Sequence, residues 1–241
     1  MNEVYKSIDI GYYDKAFRKH RGIQSKWHHL KFEALKRIIL EEKAKEILDI
    51  ACGPGTFIGS LPSDLNCIGI DIVEEQILYA QNFYGCNNKT FIVSDVIGKK
   101  IPFANNSFDC ISCIEFFEHI TVEEIIFVLK EVYRCLKPGG ILIATTPNYQ
   151  LSWKLLESVI SVIGKVDYRP QHITRFNLSG FRDLIKKSGF EIRTARKYLY
   201  ISPFIALLSW KFSSLFFEFE YNHFKNLGNS LLAVAEKKLE K

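Results

Sequence analysis

The segment CIEFFEHIT (113–121) contains the side chains with the clearest potential for chemistry. Glu115, Glu118 and His119 occupy positions i, i+3 and i+4, so a helical turn would bring all three onto one face. Two carboxylates and an imidazole suit a divalent cation such as Mg²⁺ or Mn²⁺ better than zinc. His119 can instead take a proton from a reacting group or orient it. A purely structural role is the third interpretation, and the residues leave all three open.

A turn with two glycines follows the first strand-like run, ILDIACGPGTF (47–57). Gly53 and Gly55 let the backbone adopt positive φ and approach a ligand closely, and the helix that follows begins with unpaired N–H groups. A dinucleotide-binding loop has the pattern GxGxxG. With Gly53 and Gly55 as the first two glycines, the third is missing because Ile58 stands there, and Ala51 stands two positions before Gly53. This pattern argues against an NAD-linked oxidoreductase.

Two acidic residues end later strand-like runs. Asp71 ends CIGID (67–71), where a carboxylate can accept hydrogen bonds from a ribose diol. Asp95 ends FIVSD (91–95), where its carboxylate or the N–H group of Val96 can read an adenine edge. Taken alone, Asp71 fits equally well as a cap for the helix that begins near Glu74. Together with the glycine turn, ribose binding is the better interpretation.

These residues need a framework of alternating strands and helices. Apolar residues at helical spacing predict a helix over 24–43, and we expect His28 and His29 within it to lie at the surface. Short apolar runs predict strands over 46–50, 67–70, 90–94, 109–114 and 140–145. Helices are predicted between them over 55–61, 74–83 and 122–136. Such alternation favours a parallel sheet covered by helices on both faces.

Beyond Pro147 the pattern predicts helices over 151–163 and 178–188 and strands over 190–198 and 230–235. Gly189 stands where a left-handed glycine commonly ends a helix. The segment 199–219 is apolar over about twenty residues, near the length of a membrane span. Because Pro203, Lys211 and Glu218 interrupt it, we expect a helical insertion over a ligand pocket. Peripheral contact with a membrane surface is the alternative.

Composition and charge set the broad class of the protein. The chain has 241 residues and a net charge of +5, with acids and bases interspersed, which fits one α/β domain. A clustered basic stripe is missing, so the charge does not favour a nucleic-acid partner. The six cysteines fall mostly in apolar runs, which predicts reduced, core-packed thiols and a cytoplasmic protein. Alternation along a strand would point Cys110 and Cys113 in opposite directions.

Four motifs resemble, in order and spacing, those of class I S-adenosylmethionine-dependent methyltransferases of the branch that modifies small molecules. They are DIACGPG, GIDI, SDVIGKKIPFANNSFDCI and LKPGGILIATTPN, and the resemblance is strong over 47–148. It implies a doubly wound, mostly parallel α/β sheet of seven strands, with the strand over 230–235 inserted antiparallel. In this single domain, 1–45 would form a helical lid, 46–148 the cofactor-binding core and 149–241 the substrate side.

The resemblance also implies a cofactor, S-adenosylmethionine, whose product is S-adenosylhomocysteine. Asp49, Ala51 and Gly53 would lie near its methionine part, Asp71 on the ribose, and Asp95 with Val96 on the adenine. The remaining predicted cofactor contacts are Gly55, Ile72, Gln76 and Glu115.

EFFEH is similar to the ExxEH of ubiquinone-biosynthesis O-methyltransferases and of small-RNA terminal 2′-O-methyltransferases, in which these residues are associated with a divalent cation. The similarity implies a metal set of Glu115, Glu118 and His119, with His119 and His172 as catalytic candidates. The expected reaction is methyl transfer to an oxygen, less readily to nitrogen or carbon, of a quinone precursor, lipid or sugar. A metal-assisted RNA 2′-O-methyltransferase and a non-catalytic partner protein with this fold are the alternatives.

Overall fold

A seven-stranded sheet forms the centre of the molecule. The computed structural model describes residues 9–150 and 172–239, and its strands lie in the order β3-β2-β1-β4-β5-β7-β6. Strands β1 to β5 run parallel to one another, whereas β7 is antiparallel to both of its neighbours, β5 and β6. The order reverses at β1, so the carboxyl ends of β1 and β4 flank the point where ligands bind in such sheets.

The elements alternate as the sequence predicts. The strands are β1 Glu46–Ile50, β2 Asn66–Asp71, β3 Lys89–Val93, β4 Phe108–Ile114, β5 Leu136–Pro147, β6 Glu191–Tyr198 and β7 Ser230–Glu236. The described helices are α1 Tyr12–Arg18, α2 Gly22–Glu41, α3 Thr56–Ser60, α4 Glu74–Tyr84, α5 Val122–Cys135, α6 Leu178–Lys187, α7 Ser202–Ile205 and α8 Trp210–His223. The predicted α/β class and the antiparallel final strand are confirmed. The helix predicted over 151–163 lies outside the described residues.

Two apolar layers hold the helices against the sheet. On one face, α5 and α6 pack on side chains such as Leu48 and Leu142. On the other face, α2, α3 and α8 pack on side chains such as Ile47 and Ile143. Consecutive residues of β1 and of β5 thus enter opposite layers, because side chains alternate across a strand. The sheet is therefore covered on both sides, which leaves its carboxyl edge as the place for a site.

Local sequence fixes the helix ends near that edge. The Thr121 hydroxyl accepts from the N–H of Glu124, whose carboxylate accepts from the N–H of Thr121, a capping box that starts α5. The Asn177 side chain accepts from the N–H of Gly180 at the start of α6. Gly189, with φ of 100°, follows the end of α6 as predicted. These caps position the turns on both sides of the Glu118 segment.

The cysteines lie where the alternation of strands puts them. All six thiols are free; Cys86 is exposed and the other five are buried. Cys110 belongs to the layer under α2, and Cys113 to the layer under α5. The two thiols of the CxxC sequence therefore face opposite sides of the sheet, as predicted.

The N-terminal helices dock on α4 through a buried carboxylate. Asp14 on α1 is fully buried; it accepts from the Tyr79 hydroxyl at 2.9 Å and pairs with Arg18 at 2.7 Å. The side-chain oxygen of Gln76 accepts from the N–H of Gly11 at 3.1 Å. We refer to α1 and α2 together as the lid helices.

The lid helices also enclose two histidines that the sequence had suggested lie at the surface. His29 stacks on Phe17, with ring centroids 3.9 Å apart, and its Nε2 bonds the Phe17 carbonyl. Burial lowers the pKa of His28 to about 3 and that of His29 to about 4. The two imidazoles are half-buried rather than at the surface, because Trp210 of α8 meets His29 edge-on, and Tyr13 and Phe32 pack against His28.

The segment 199–219 forms α7 and the first part of α8, as the predicted helical insertion. The Glu220 carboxylate, 1% exposed, accepts from three successive N–H groups, those of Tyr200, Ile201 and Ser202, and so fixes the turn before α7. Among the described residues, no helix is both long and apolar enough to cross a membrane.

Candidate active site

The turn after β1 takes three left-handed residues in close succession. Ala51, Gly53 and Gly55 have φ of 59°, 52° and 73°. A Cβ on Gly55 would approach the Phe91 ring to 2.6 Å, so both its φ and its surroundings require glycine. The N–H of Cys52 bonds the carbonyl of Ile70 at 3.0 Å, which ties the turn to β2. The turn therefore lies against the carboxyl end of β2.

Asp71 holds this turn as well as facing the ligand space. Its two carboxylate oxygens accept from the N–H of Gly53 and from the N–H of Val73, each at 2.9 Å. Each carboxylate oxygen has two lone pairs, so both can still accept from a ribose diol. The two interpretations of Asp71 made from the sequence are thus compatible, because the same carboxylate orders the start of α4.

A cavity opens at the carboxyl edge of β1, β2 and β4. Ligands bind at this edge of doubly wound sheets. The predicted cofactor residues that line it are Ala51, Asp71, Ile72, Asp95, Val96 and Glu115. Phe116 and His119 line the same cavity beside Glu115. One cavity thus joins the predicted cofactor residues to a predicted catalytic histidine.

Four other predicted cofactor residues are not part of the cavity lining. Gly53 and Gly55 shape the turn, and Gln76 accepts from the lid. Asp49, 2% exposed, accepts from the Ser112 hydroxyl at 2.6 Å. Burial, together with the charge of the nearby Asp71, raises the pKa of Asp49 to about 7 despite this hydrogen bond. In the described structure these four residues support the lining rather than form it.

Glu115 is held by the lid and by β5 at the end of β4. Its φ of 51° turns the chain sharply after the strand. Its Oε1 accepts from the Thr145 hydroxyl at 2.8 Å and lies 3.2 Å from the ammonium group of Lys31 on α2. The Lys31 side chain is only 4% exposed, so this pair joins the lid to the cavity wall largely out of water.

Glu118, His119 and His172 form a cluster next to this part of the cavity. One ligand atom from each of Glu118, His119 and His172 lies within 4.8 Å of the others, and the two imidazole centroids are 5.2 Å apart. The predicted metal set differs in one member, because Glu115 turns toward Lys31 and Thr145 instead. The physical reason is the short 3-10 turn over Phe117–His119, which replaces the helical turn that would have aligned all three.

Burial governs the electrostatics of this cluster. Glu118 is 1% exposed; burial first and the charge of Glu115 second raise its pKa well above the ordinary value. Its Oε2 accepts from the Thr146 hydroxyl at 3.0 Å. Burial lowers the pKa of His172 to about 3, and its Nδ1 is hydrogen-bonded to the Tyr149 hydroxyl. His172 is therefore neutral near pH 7.

Three site residues escaped the sequence analysis. Lys31 is one of several basic residues in a helical pattern, and nothing local distinguishes it from a solvated neighbour. Thr145 and Thr146 could have been found, because two polar residues that end a buried strand at the ligand edge need partners. Their partners are the two glutamates of EFFEH. Arg175 lies over the Tyr149 ring at 5.5 Å, and Arg169 is outside the described residues.

Comparison with known proteins agrees with this site. Residues 47–140 match the family described as methyltransferase domain. A protein of Methanocaldococcus jannaschii, described as uncharacterized protein MJ1252, is 28% identical over 75% of each chain. The ubiquinone/menaquinone biosynthesis C-methyltransferase UbiE of Cereibacter sphaeroides is 27% identical over 76% of this chain and 81% of its own length.

The fold agrees as well. A crystal structure of an S-adenosylmethionine-dependent methyltransferase from Archaeoglobus fulgidus superposes with a TM-score of 0.61, at 17% identity, over 86% of this chain and 94% of that one. The sheet and the glycine turn define a class I S-adenosylmethionine-dependent methyltransferase. The methyltransferase-domain match covers β1 to the start of β5, the part of the sheet that carries the glycine turn.

Proposed function

We propose that this enzyme transfers the methyl group of S-adenosylmethionine to an oxygen of a small, hydroxyl-bearing acceptor such as a quinol, a phenol, a lipid headgroup or a sugar. The observation that carries the proposal is the shared cavity, in which His119 lies beside the residues predicted to hold the cofactor. The acidic lining at Asp71 and Asp95 fits a ribose-containing ligand.

The chain's own residues account for what the reaction requires. When bound, the cofactor supplies a sulfonium methyl group, which is an electrophile and needs chiefly an aligned nucleophile. His119 is placed to accept the proton of an acceptor hydroxyl, with the neutral His172 at its side. The Lys31–Glu115 pair ties α2 to Glu115 in the cavity wall. Glu118 supports this turn, since its carbonyl accepts from the N–H groups of Ile173 and Thr174.

Carbon is the alternative atom to be methylated. The similarity to UbiE, whose name describes a C-methyltransferase, supports it. The same base serves both outcomes, because removing a phenolic proton activates the oxygen and the neighbouring ring carbon alike. The acceptor therefore decides between them.

The test uses S-adenosylmethionine with a ¹³C-labelled methyl group and a panel of quinols, catechols, lipids and sugars. We expect one class to gain the label, and NMR shifts separate an O-methyl from a C-methyl product. We expect His119→Ala to lower kcat by about 100-fold or more while S-adenosylhomocysteine still binds. His223→Ala, an exposed histidine on α8, is the control. An His119→Ala variant with unchanged kcat would exclude the proposed base.

A divalent cation at Glu118, His119 and His172 is the second candidate feature of this site, favoured by the spacing of the ligand atoms. Two imidazoles and one carboxylate suit Mn²⁺ better than Mg²⁺, which prefers oxygen ligands. Such an ion would polarise an acceptor hydroxyl and lower its pKa.

Electron paramagnetic resonance of Mn²⁺ titrated into the protein with S-adenosylhomocysteine tests the ion separately. Stoichiometric binding that His172→Ala abolishes would support the site. Binding that is absent, or equal in both proteins, would exclude it and leave His119 as the base.

A further inference from the structure

Helices α7 and α8 leave an unusually apolar surface in solvent. Leu207 and Leu208 between the helices are 66% and 90% exposed, and Phe212, Leu215 and Phe219 on α8 are 55%, 60% and 48% exposed. Phe212, Leu215 and Phe219 are spaced three and four apart within α8, which puts them on one side of the helix, and Leu207 and Leu208 lie in the turn just before it. We call these five side chains the α8 face.

The two acidic residues of α8 have partners within the protein, whereas Lys211 is exposed. The charge of Glu218, whose side chain is 46% exposed, is paired with Arg37 of α2, and the buried Glu220 accepts from the N–H groups of the turn before α7. Lys211 is exposed next to Phe212. The exposed part of α8 near the face is therefore apolar and cationic.

More basic residues border the same end of the helix. The loop between α1 and α2 carries the exposed residues Lys19 and Arg21 on either side of His20. The His20 ring lies 6.1 Å from the ring of Trp210, the first residue of α8. The loop and Lys211 thus flank the α8 face with positive charge.

We infer that the α8 face docks on a lipid bilayer that contains anionic lipids. Exposed apolar side chains on a helix, bordered by lysine and arginine, form the pattern of helices that lie in the membrane interface. A bilayer needs no matching shape, whereas a second protein chain does. Self-association through this face would bring the basic borders of two copies together, because a two-fold interface pairs like with like. Anionic headgroups instead complement that charge.

The face is also connected to the lid. The ammonium group of Lys26 on α2 donates to the Trp210 carbonyl at 2.9 Å, and Trp27 meets Phe204 of α7 edge-on at 6.3 Å. The same helix α2 reaches the cavity wall through Lys31. A bilayer bound at the α8 face would therefore lie beside the lid, rather than on the opposite side of the sheet.

Sedimentation with vesicles tests the inference without any methyl acceptor, so its outcome is independent of the proposed function. The full chain is mixed with vesicles of phosphatidylcholine alone and of phosphatidylcholine with phosphatidylglycerol. We expect binding to the anionic vesicles. The pair Leu208→Gln and Phe212→Gln should weaken it more than tenfold, since each substitution removes an apolar side chain that would be buried in the bilayer. Lys211→Gln should weaken it about fivefold and flatten its salt dependence.

The matched control is Leu78→Gln with Phe83→Gln on α4, two residues 56% and 54% exposed. We expect this pair to bind vesicles like the wild type. Equal weakening by both pairs, or the absence of binding to anionic vesicles, would overturn the inference. Light scattering supplies a further check, because a dimer that Leu208→Gln and Phe212→Gln dissociate would assign the face to a second copy of the chain.

Discussion

Asp71 shows how one carboxylate can serve both the fold and the ligand. It accepts two backbone N–H groups that order the glycine turn and the start of α4, and it lines the cavity. Asp109 also accepts two backbone N–H groups, at the opposite edge of the sheet, where Oδ2 accepts from Lys45 and Glu46 and Oδ1 pairs with Lys137. The two residues separate the structural role from the ligand role.

We predict that Asp71→Asn weakens S-adenosylhomocysteine binding by at least tenfold and lowers the free energy of unfolding by about 1–3 kcal/mol, because an amide can no longer accept at both positions. Calorimetric titration and urea unfolding measure the two effects. Asp109→Asn should lose comparable stability and keep the affinity. Equal affinity losses in both variants would show that Asp71 acts on binding only through the fold.

That the predicted cofactor residues meet at one edge of the sheet could be predicted, because they lie in one continuous stretch. Asp49 to Gly55, Asp71 and Asp95 each end or follow a strand, so sequence order alone brings them to one edge of a parallel sheet. The partner of Glu115 was not predictable in this way. Lys31 lies 84 positions away in sequence on a helix whose packing depends on α8, and no periodicity reports that contact.

At the scale of elements, the lid helix α2 is tied to the sheet by that same ion pair. Lys31 is nearly fully buried and Glu115 is 26% exposed, so the pair is far less screened by water than a surface pair. Lys36 and Glu33 on the same helix form a matched exposed pair, with side chains 29% and 52% exposed.

We predict a coupling energy of about 1–3 kcal/mol between Lys31 and Glu115 in a double-mutant cycle with Lys31→Met and Glu115→Gln. Urea unfolding of the wild type, both single variants and the double variant provides the four free energies. The cycle with Lys36→Met and Glu33→Gln should give no more than about 0.5 kcal/mol. A Lys31–Glu115 coupling as small as that of the surface pair would mean that apolar packing alone holds the lid.

Element types were predicted well where the apolar pattern was regular. The strands and helices between β1 and β5 lie within a few residues of the predicted ranges, because buried parallel strands and amphipathic helices have distinct patterns. The turn over Phe117–His119 was predicted as helical and is 3-10 instead. A turn of three residues is too short to show a periodic pattern of apolar residues. The left-handed backbone of Glu115 just before it sets the direction of the chain.

At the scale of the whole molecule, buried neutral histidines link stability to pH. The pKa of His28 is lowered from its ordinary 6.5 to about 3, chiefly by burial and then by Lys31. Between these two values the unfolded chain binds a proton that the folded chain does not. The stability that comes from keeping the His28 imidazole neutral is therefore complete above pH 6.5 and is lost as the pH falls toward 3.

We predict that His28→Gln reduces the loss of unfolding free energy between pH 7 and pH 5 by about 1–2 kcal/mol relative to wild type. The measurement is urea unfolding at both pH values, so any constant cost of the substitution cancels. His223→Gln, at an exposed site, should leave the difference unchanged. Identical pH dependence in the wild type and His28→Gln would contradict the burial of an uncharged imidazole.

The position of β7 has a consequence for the newly made chain. Although β7 is the latest described strand in the sequence, it lies between β5 and β6. Until it is synthesised, β5 presents a long apolar strand whose outer edge has no neighbour, and such an edge is a template for pairing with other chains. Nascent chains should therefore depend on chaperones from the completion of β5 to the arrival of β7. Ribosomes slowed within that interval would yield aggregates rather than partly active enzyme.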